Sequence, residues 1–248
     1  MRALAREPID VPTAETIGFV SANLPAGAEL LEVGCGEGQV GAGLKDLGYR
    51  VVGIDSEGEL VAKARRRGVE AQRATWPDYE GGPFDAVVFT RSIHHIHPLQ
   101  PAVAKAYELL KGPGVVLVED FAFDEADKRT IKWFLDIVRC PKGRSLITAV
   151  SGEFVTDLLA ANKPEALWHH QHDHELHDMS AITMAIGEKF PILNAAEVPY
   201  LYRYLIPVLP ATVDSANFVN EVFREEARLG AQREIVLIGR RIAAGKSL

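Results

Sequence analysis

The sequence predicts a doubly wound α/β domain with a mostly parallel sheet, two further strands near the C-terminus and a helical insertion. Three observations predict it. Strand and helix signals alternate over the first 120 residues, the pattern of βαβ units. The inner strands are runs of Val, Ile and Leu, as in a parallel sheet buried on both faces. Strand signals return only near the C-terminus, over 196–205 and 234–241. At 248 residues the chain fits one large domain with a sizeable core.

The elements follow in order. Pro12-Thr13-Ala14-Glu15 opens a helix carrying Ile17, Phe19, Val20 and Leu24, which Pro25-Ala26-Gly27 ends. Glu29–Val33 is a strand running into a glycine-rich turn, and Val40–Leu47 is the helix after it. Arg50–Ile54 is the second strand, Glu59–Arg67 a helix and Val69–Arg73 the third strand. Phe84–Phe89 is the fourth strand, and Pro101–Leu110 is a helix closed by Lys111-Gly112-Pro113-Gly114. Val115–Val118 is the fifth strand.

The pattern then changes. Residues 124–139 form an amphipathic helix with Ile131, Phe134, Leu135 and Val138 on one stripe. Ser151 is placed as the cap of a short helix, and Asp178 or Ser180 as the cap of another that runs to Phe190. With no repeat or low-complexity linker, 121–178 reads as a helical cap or insertion on a single domain spanning 1–248. It is expected to act as a lid. Tyr200, Tyr202 and Tyr204 would alternate on one face of a strand and either wall a pocket or cover the sheet.

Composition narrows the function. Acidic residues number 34 against 27 basic, a net charge of -7, which disfavours a nucleic-acid partner. The run Lys63-Ala64-Arg65-Arg66-Arg67 reads as a solvated helix face rather than a phosphate site. Two cysteines, Cys35 and Cys140, imply no disulfide framework and suit the cytoplasm. No apolar run approaches the ~18 residues that cross a bilayer. Residues 1–12 lack the apolar stretch of a secretory signal.

The strongest chemical signal is Leu30-Leu31-Glu32-Val33-Gly34-Cys35-Gly36-Glu37-Gly38. A strand enters a tight turn with glycine at every second position, so a ligand can approach the backbone without Cβ clashes. Gln39 stands where a dinucleotide fingerprint has its third glycine. Asp55 ends the second strand, where a carboxylate can accept hydrogen bonds from ribose hydroxyls. Glu32, two residues before the first glycine, suits a positively charged ligand better than a pyrophosphate.

With these pieces the chain resembles a class I S-adenosylmethionine-dependent methyltransferase of the type 11 small-molecule group. LLEVGCGEG, VVGID, FDAVVFTRSIHHI and AYELLKGPGVVLVED stand in that family's order over about residues 28–120. The resemblance implies a Rossmann-like sheet ending in an antiparallel C-terminal hairpin, S-adenosylmethionine as cofactor and a small-molecule methyl acceptor; with the acidic balance and no long apolar run, no nucleic acid and no membrane partner is expected. It places Glu32 near the methionine ammonium, Gly34, Cys35, Gly36 and Gly38 beneath the cofactor, Asp55 on the ribose and Ser56 beside the adenine. Relatives carry an acidic residue after the third strand, and here Thr75 or Trp76 takes its place, with ordinary core as the alternative for Trp76.

Thr90-Arg91-Ser92-Ile93-His94-His95 follows the fourth strand, where crevice residues of such sheets lie. His94 and His95 are the candidate bases for a hydroxyl or amine acceptor, His94 facing the pocket and His95 buried. Arg91 is placed at the cofactor or an anionic substrate. Positioning without a base is the alternative for the histidines. Five further histidines between His169 and His177 read as a polar segment rather than a metal site. Two other functions stay open: a non-catalytic protein that binds the same cofactor, and an NAD(P)-dependent oxidoreductase. Fold alone does not separate them.

Overall fold

The computed structural model describes residues 5–148, 150, 153–171 and 176–246. The chain opens with α1 (Asp10–Asn23), then alternates β1 (Glu29–Val33), α2 (Gln39–Asp46), β2 (Arg50–Asp55), α3 (Gly58–Arg66), β3 (Glu70–Arg73), β4 (Phe84–Thr90), α4 (Leu99–Leu109) and β5 (Leu110–Phe121). Helices α5 (Lys128–Arg139), α6 (Pro141–Leu146), α7 (Phe154–Ala160), α8 (Pro164–Gln171) and α9 (Met179–Lys189) follow. The chain finishes with β6 (Ile192–Val198), α10 (Val213–Ala231) and β7 (Gly239–Gly245).

The strands form one seven-stranded sheet in the order β3-β2-β1-β4-β5-β7-β6. β1 pairs in parallel with β2 on one side and β4 on the other, and β2–β3 and β4–β5 are also parallel. The C-terminal strands are antiparallel, so the expected Rossmann-like fold class holds. Winding runs outward from β1 in both directions. The reversal between β1 and β4 opens a crevice beyond the strands' carboxyl ends, where such sheets bind ligands.

The chain divides into two compact units. One comprises Thr13–Asp120, His177–Ala196 and the chain from Arg240 onward. Within it Phe19 and Val20 of α1, Val40 and Leu44 of α2 and Val61 and Ala64 of α3 pack on Leu30, Val51, Val88 and Leu117 of the strands. Those apolar positions are the ones that the helical and strand periodicities mark. α4 packs against α9 and β4.

The other unit comprises the chain up to Pro12, Phe121–Leu176 and Glu197–Gly239. Asp127 caps α5 by accepting from the Thr130 amide, and Ile131, Phe134, Leu135 and Val138 form the buried stripe expected of that helix. They share a core with Trp168, Tyr202 and Phe218. Trp168 is fully buried, and its indole N–H donates to the Phe123 carbonyl at 3.0 Å, which satisfies its polar end. Asp178 is the cap of α9, accepting from the Ala181 amide at 2.7 Å. Ser151 lies outside the described residues.

The C-terminal strands differ from expectation. β6 is Ile192–Val198 rather than 196–205, and β7 is Gly239–Gly245 rather than 234–241. Leu201–Val208 is a 3-10 helix, so Tyr200, Tyr202 and Tyr204 do not alternate along a strand. The cause is Glu226 of α10. Its Oε1 accepts from the Tyr200 and Leu201 amides at 2.7 and 2.9 Å, and its Oε2 from the Tyr202 amide at 3.2 Å. Consecutive N–H groups converge on one point at a helix start but alternate sides in a strand.

Burial pushes the Glu226 carboxyl up to about 7, against the opposing pull of the three amides and of Arg203. Its ordinary value is 4.5, so between about 4.5 and 7 the folded chain holds a proton that the unfolded chain has released. Stability from this group therefore falls as pH rises through that window and is level above it. Glu226→Gln is expected to flatten the fall, worth roughly a few kcal/mol. Melting temperatures of both proteins from pH 4.5 to 8 check this, and parallel curves would refute it.

Candidate functional site

β1 leads straight into the glycine turn. The Gly34 and Cys35 amides both donate to the Ile54 carbonyl at 2.9 Å, which fastens the turn to the end of β2. Gly34 has φ +74, and a Cβ there would come 2.6 Å from Ser92 Cβ, so only glycine lets the turns after β1 and β4 meet. Ser92 Oγ completes that junction by donating to the Val33 carbonyl at 2.6 Å. Gly36 has φ +55, yet a Cβ there would meet nothing within 4 Å. The turn thus leaves open space above Gly36.

Asp55 braces the same turn. Its Oδ2 accepts from the Gly36 amide at 2.9 Å and its Oδ1 from the Glu57 amide at 3.0 Å. The basic run has a partner on the turn as well. Lys63 Nζ lies 2.6 Å and Arg67 Nη2 3.4 Å from the Glu37 carboxylate, holding that carboxyl below its usual range. Arg67 Nε also donates to the Glu37 carbonyl at 3.0 Å. The run therefore anchors the glycine turn in addition to facing solvent.

A cavity of about 410 Å³ opens at the carboxyl ends of β1, β2, β3 and β4. Of the residues singled out in the sequence it brings together Gly34, Asp55, Ser56, Thr75, Trp76, Arg91 and His95. Trp76 serves packing as well: its indole N–H donates to the Ala102 carbonyl at 3.1 Å and its ring meets Phe89 edge-on. Thr75 Oγ1 donates to Asp78 Oδ2 at 3.0 Å.

Glu32, Cys35, Gly36, Gly38 and His94 do not line this cavity. Glu32 is buried; Thr90 Oγ1 donates to its Oε1 at 3.2 Å, while Oε2 lies against the Gly41 amide without making a hydrogen bond. Burial pushes this carboxyl up to about 7, and Thr90 and Arg91 oppose the rise. A cation brought near would favour its ionised form. Burial, with the Glu32 and Asp55 charges adding, pushes the Cys35 thiol up to about 12, so it is no nucleophile. Gly38 caps α2 in the left-handed conformation, with φ 80.

The histidine pair sits on a 3-10 turn, Ile93–His95, and its order is the reverse of the expected one. His94 is buried, its Nδ1 2.7 Å from Asp120 Oδ1. His95 is exposed and lines the cavity, its ring 4.0 Å from that of His94. Successive side chains on a 3-10 turn point about 120° apart, so two adjacent histidines cannot share one outlook. The buried carboxylate holds the first and leaves the second to the cavity.

Two acidic residues at the end of β5 were missed in the sequence. Glu119 is buried and accepts from Thr16 Oγ1 at 2.6 Å, Arg91 Nη1 at 3.3 Å and Arg241 Nε at 2.7 Å. Its carbonyl takes the Arg91 amide at 2.7 Å, and Arg91 has φ 60. Asp120 is the other. The signal was an acidic pair closing a buried apolar strand, where a carboxylate needs a partner. Of the histidine-rich stretch, His172 and His174 lie outside the described residues, and no metal-binding group occurs among the described ones. His177 instead stacks on His97 at 4.0 Å.

A family model described as a methyltransferase domain matches residues 6–162. A ubiquinone biosynthesis O-methyltransferase from Xanthomonas axonopodis is 33% identical over 121 residues, 44% of this chain and 49% of its own. An S-adenosyl-L-methionine-dependent Diels-Alderase from Talaromyces variabilis is 34% identical over 124 residues, 43% of this chain and 41% of its own. The chain thus spans about half the length of the curated relatives it matches. Phosphoethanolamine N-methyltransferase 2 from Haemonchus contortus, solved with S-adenosyl-L-methionine, superposes with TM-score 0.57 over 95% of this chain and 53% of its own, at 14% identity. With the family model covering more than half its length, the chain belongs to the methyltransferase-domain family, the S-adenosylmethionine-dependent class I methyltransferases.

Proposed function

We propose that the chain binds S-adenosylmethionine in the cavity beyond β1, β2 and β4 and catalyses transfer of its methyl group to an oxygen of a small molecule. One observation carries the reading: Gly34 at the head of the glycine turn, Asp55 and His95 line the same cavity of about 410 Å³. The open space above Gly36 leaves room for a bulky ligand against the turn. The O-methyltransferase names of several relatives favour oxygen as acceptor atom.

The cofactor, when bound, supplies an electrophilic methyl group on a sulfonium. Asp55 would hold the ribose hydroxyls, Ser56, Thr75 and Trp76 would border the adenine, and Gly34 would lie beneath the cofactor. His95 takes the proton that a hydroxyl sheds as it is methylated. Alignment of acceptor and donor contributes the rest. On this reading the chain is a single methyltransferase domain, and 121–178 is an insertion in it.

The test begins with binding. S-adenosylmethionine is expected to raise the melting temperature and NAD to leave it unchanged, since only a ligand of the native state stabilises it. The reverse result would select an oxidoreductase. Phenols, aliphatic alcohols and amines are then screened for release of S-adenosylhomocysteine. The Diels-Alderase match favours a second reading, a bound cofactor without methyl transfer. Binding with no S-adenosylhomocysteine from any acceptor would select it.

A further inference from the structure

We infer that Asp120 is a positioning residue for the proposed reaction, acting through His94 to set the attitude of the cavity-facing His95. The inference rests on the functional reading above. Asp120 and His94 are 0% and 5% exposed, and His94 Nδ1 stands 2.7 Å from Asp120 Oδ1. An ionised carboxylate only accepts, so at that distance it favours the neutral ring with its proton on Nδ1. That orientation gives the ring a fixed face. The His95 ring rests on it at 4.0 Å, tilted by 45°.

The backbone of the turn is tied from three sides, so the side-chain contact has a rigid base. Ser92 Oγ donates to the Val33 carbonyl at 2.6 Å. The His95 amide donates to the Ser92 carbonyl at 3.1 Å. The His177 amide, just ahead of α9, donates to the His94 carbonyl at 2.9 Å. Backbone ties fix where His95 begins but leave its ring free about χ1 and χ2. The contact with His94 restrains that ring, and Asp120 restrains His94. The other charged or titratable groups around the turn are Arg91 after β4, His97 on the turn itself, and His177 with Asp178 ahead of α9.

Burial explains why a carboxylate is present there. A buried charge costs several kcal/mol unless paired, and truncating its partner is destabilising. A hydrophobic pair would fill the same volume at less cost, but would fix no ring orientation. Orientation to within about 10–20° is what proton transfer demands of a base.

Asp120→Asn tests this with little change of shape. The amide can donate to Nδ1 and reverse the tautomer, which a carboxylate cannot do. The first readout needs no acceptor. In nitrogen-15 NMR with S-adenosylmethionine present, the His95 ring is expected to titrate lower than in the wild type, because a nearby negative charge is gone. The second readout is turnover with an acceptor from the screen. Asp120→Asn and His94→Asn should each lower kcat roughly tenfold or more, with KM and cofactor affinity within twofold. The double variant should be no slower than the slower single one, because both act along one path. An unchanged His95 titration, or losses that multiply in the double variant, would overturn the inference. If circular dichroism shows Asp120→Asn unfolded, His94→Asn decides, and a wild-type kcat there would overturn it equally. Should the wild type bind the cofactor but methylate nothing, the functional reading fails, while the NMR arm still decides the role of Asp120.

Discussion

Replacing His95 by alanine is expected to lower methyl transfer by roughly 10²–10⁴ while affinity for S-adenosylmethionine stays within twofold. His95 lines the cavity, whereas the glycine turn is braced by Asp55, Glu37 and Ser92, none of which depends on the imidazole. A base must be neutral to accept a proton, so wild-type turnover should fall on the acid side of its pH profile. That limb should be missing in His95→Ala, leaving a low and flatter rate. The experiment is kcat across pH 5–9 for the folded variant, with calorimetry for the cofactor. A near-wild-type rate with the limb intact would mean that alignment alone drives the reaction. His95→Gln separates the two roles further, because it retains a hydrogen-bonding side chain but cannot take the proton.

That the sequence names His95 at all, and misplaces it, shows where such reading stops. The parallel core was legible because Leu30-Leu31, Val87-Val88 and Leu117-Val118 are buried on both faces, and burial leaves a composition that survives any error in boundaries. The glycine turn was legible because positive φ and close approach both demand glycine, at Gly34 most of all. What failed depended on a partner far along the chain. His94 turns inward because Asp120 waits at the end of another strand, 26 residues on. The tyrosines at 200–204 look like a strand until Glu226 of α10 gathers three consecutive amides. Glu119 gave a local hint, but its three partners come from α1, the end of β4 and β7. Local pattern carries periodicity, and long-range polar pairing leaves no periodic mark.

Asp55→Ala is expected to weaken S-adenosylmethionine binding by about 10- to 100-fold, through two separable losses. The first is the carboxylate's hold on the ribose. A hydrogen bond to a charged group contributes about 1.5–3 kcal/mol. The second is the brace. Without the carboxylate, the Gly36 and Glu57 amides lose the acceptors that stand 2.9 and 3.0 Å away, and the glycine turn keeps only its backbone tie to the Ile54 carbonyl. Asp55→Asn divides these effects, since its amide oxygen can still accept from Gly36 while the charge on the ribose is gone. It should therefore bind more tightly than Asp55→Ala and less tightly than wild type. S-adenosylhomocysteine should weaken by the same factor in both variants, because it shares the nucleoside and differs at the sulfur. A larger loss for S-adenosylmethionine than for its product would point away from the ribose and towards the sulfonium end. Calorimetric Kd values for both ligands on the folded variants measure this, and unchanged affinity for either ligand in Asp55→Ala would remove Asp55 from the ribose site.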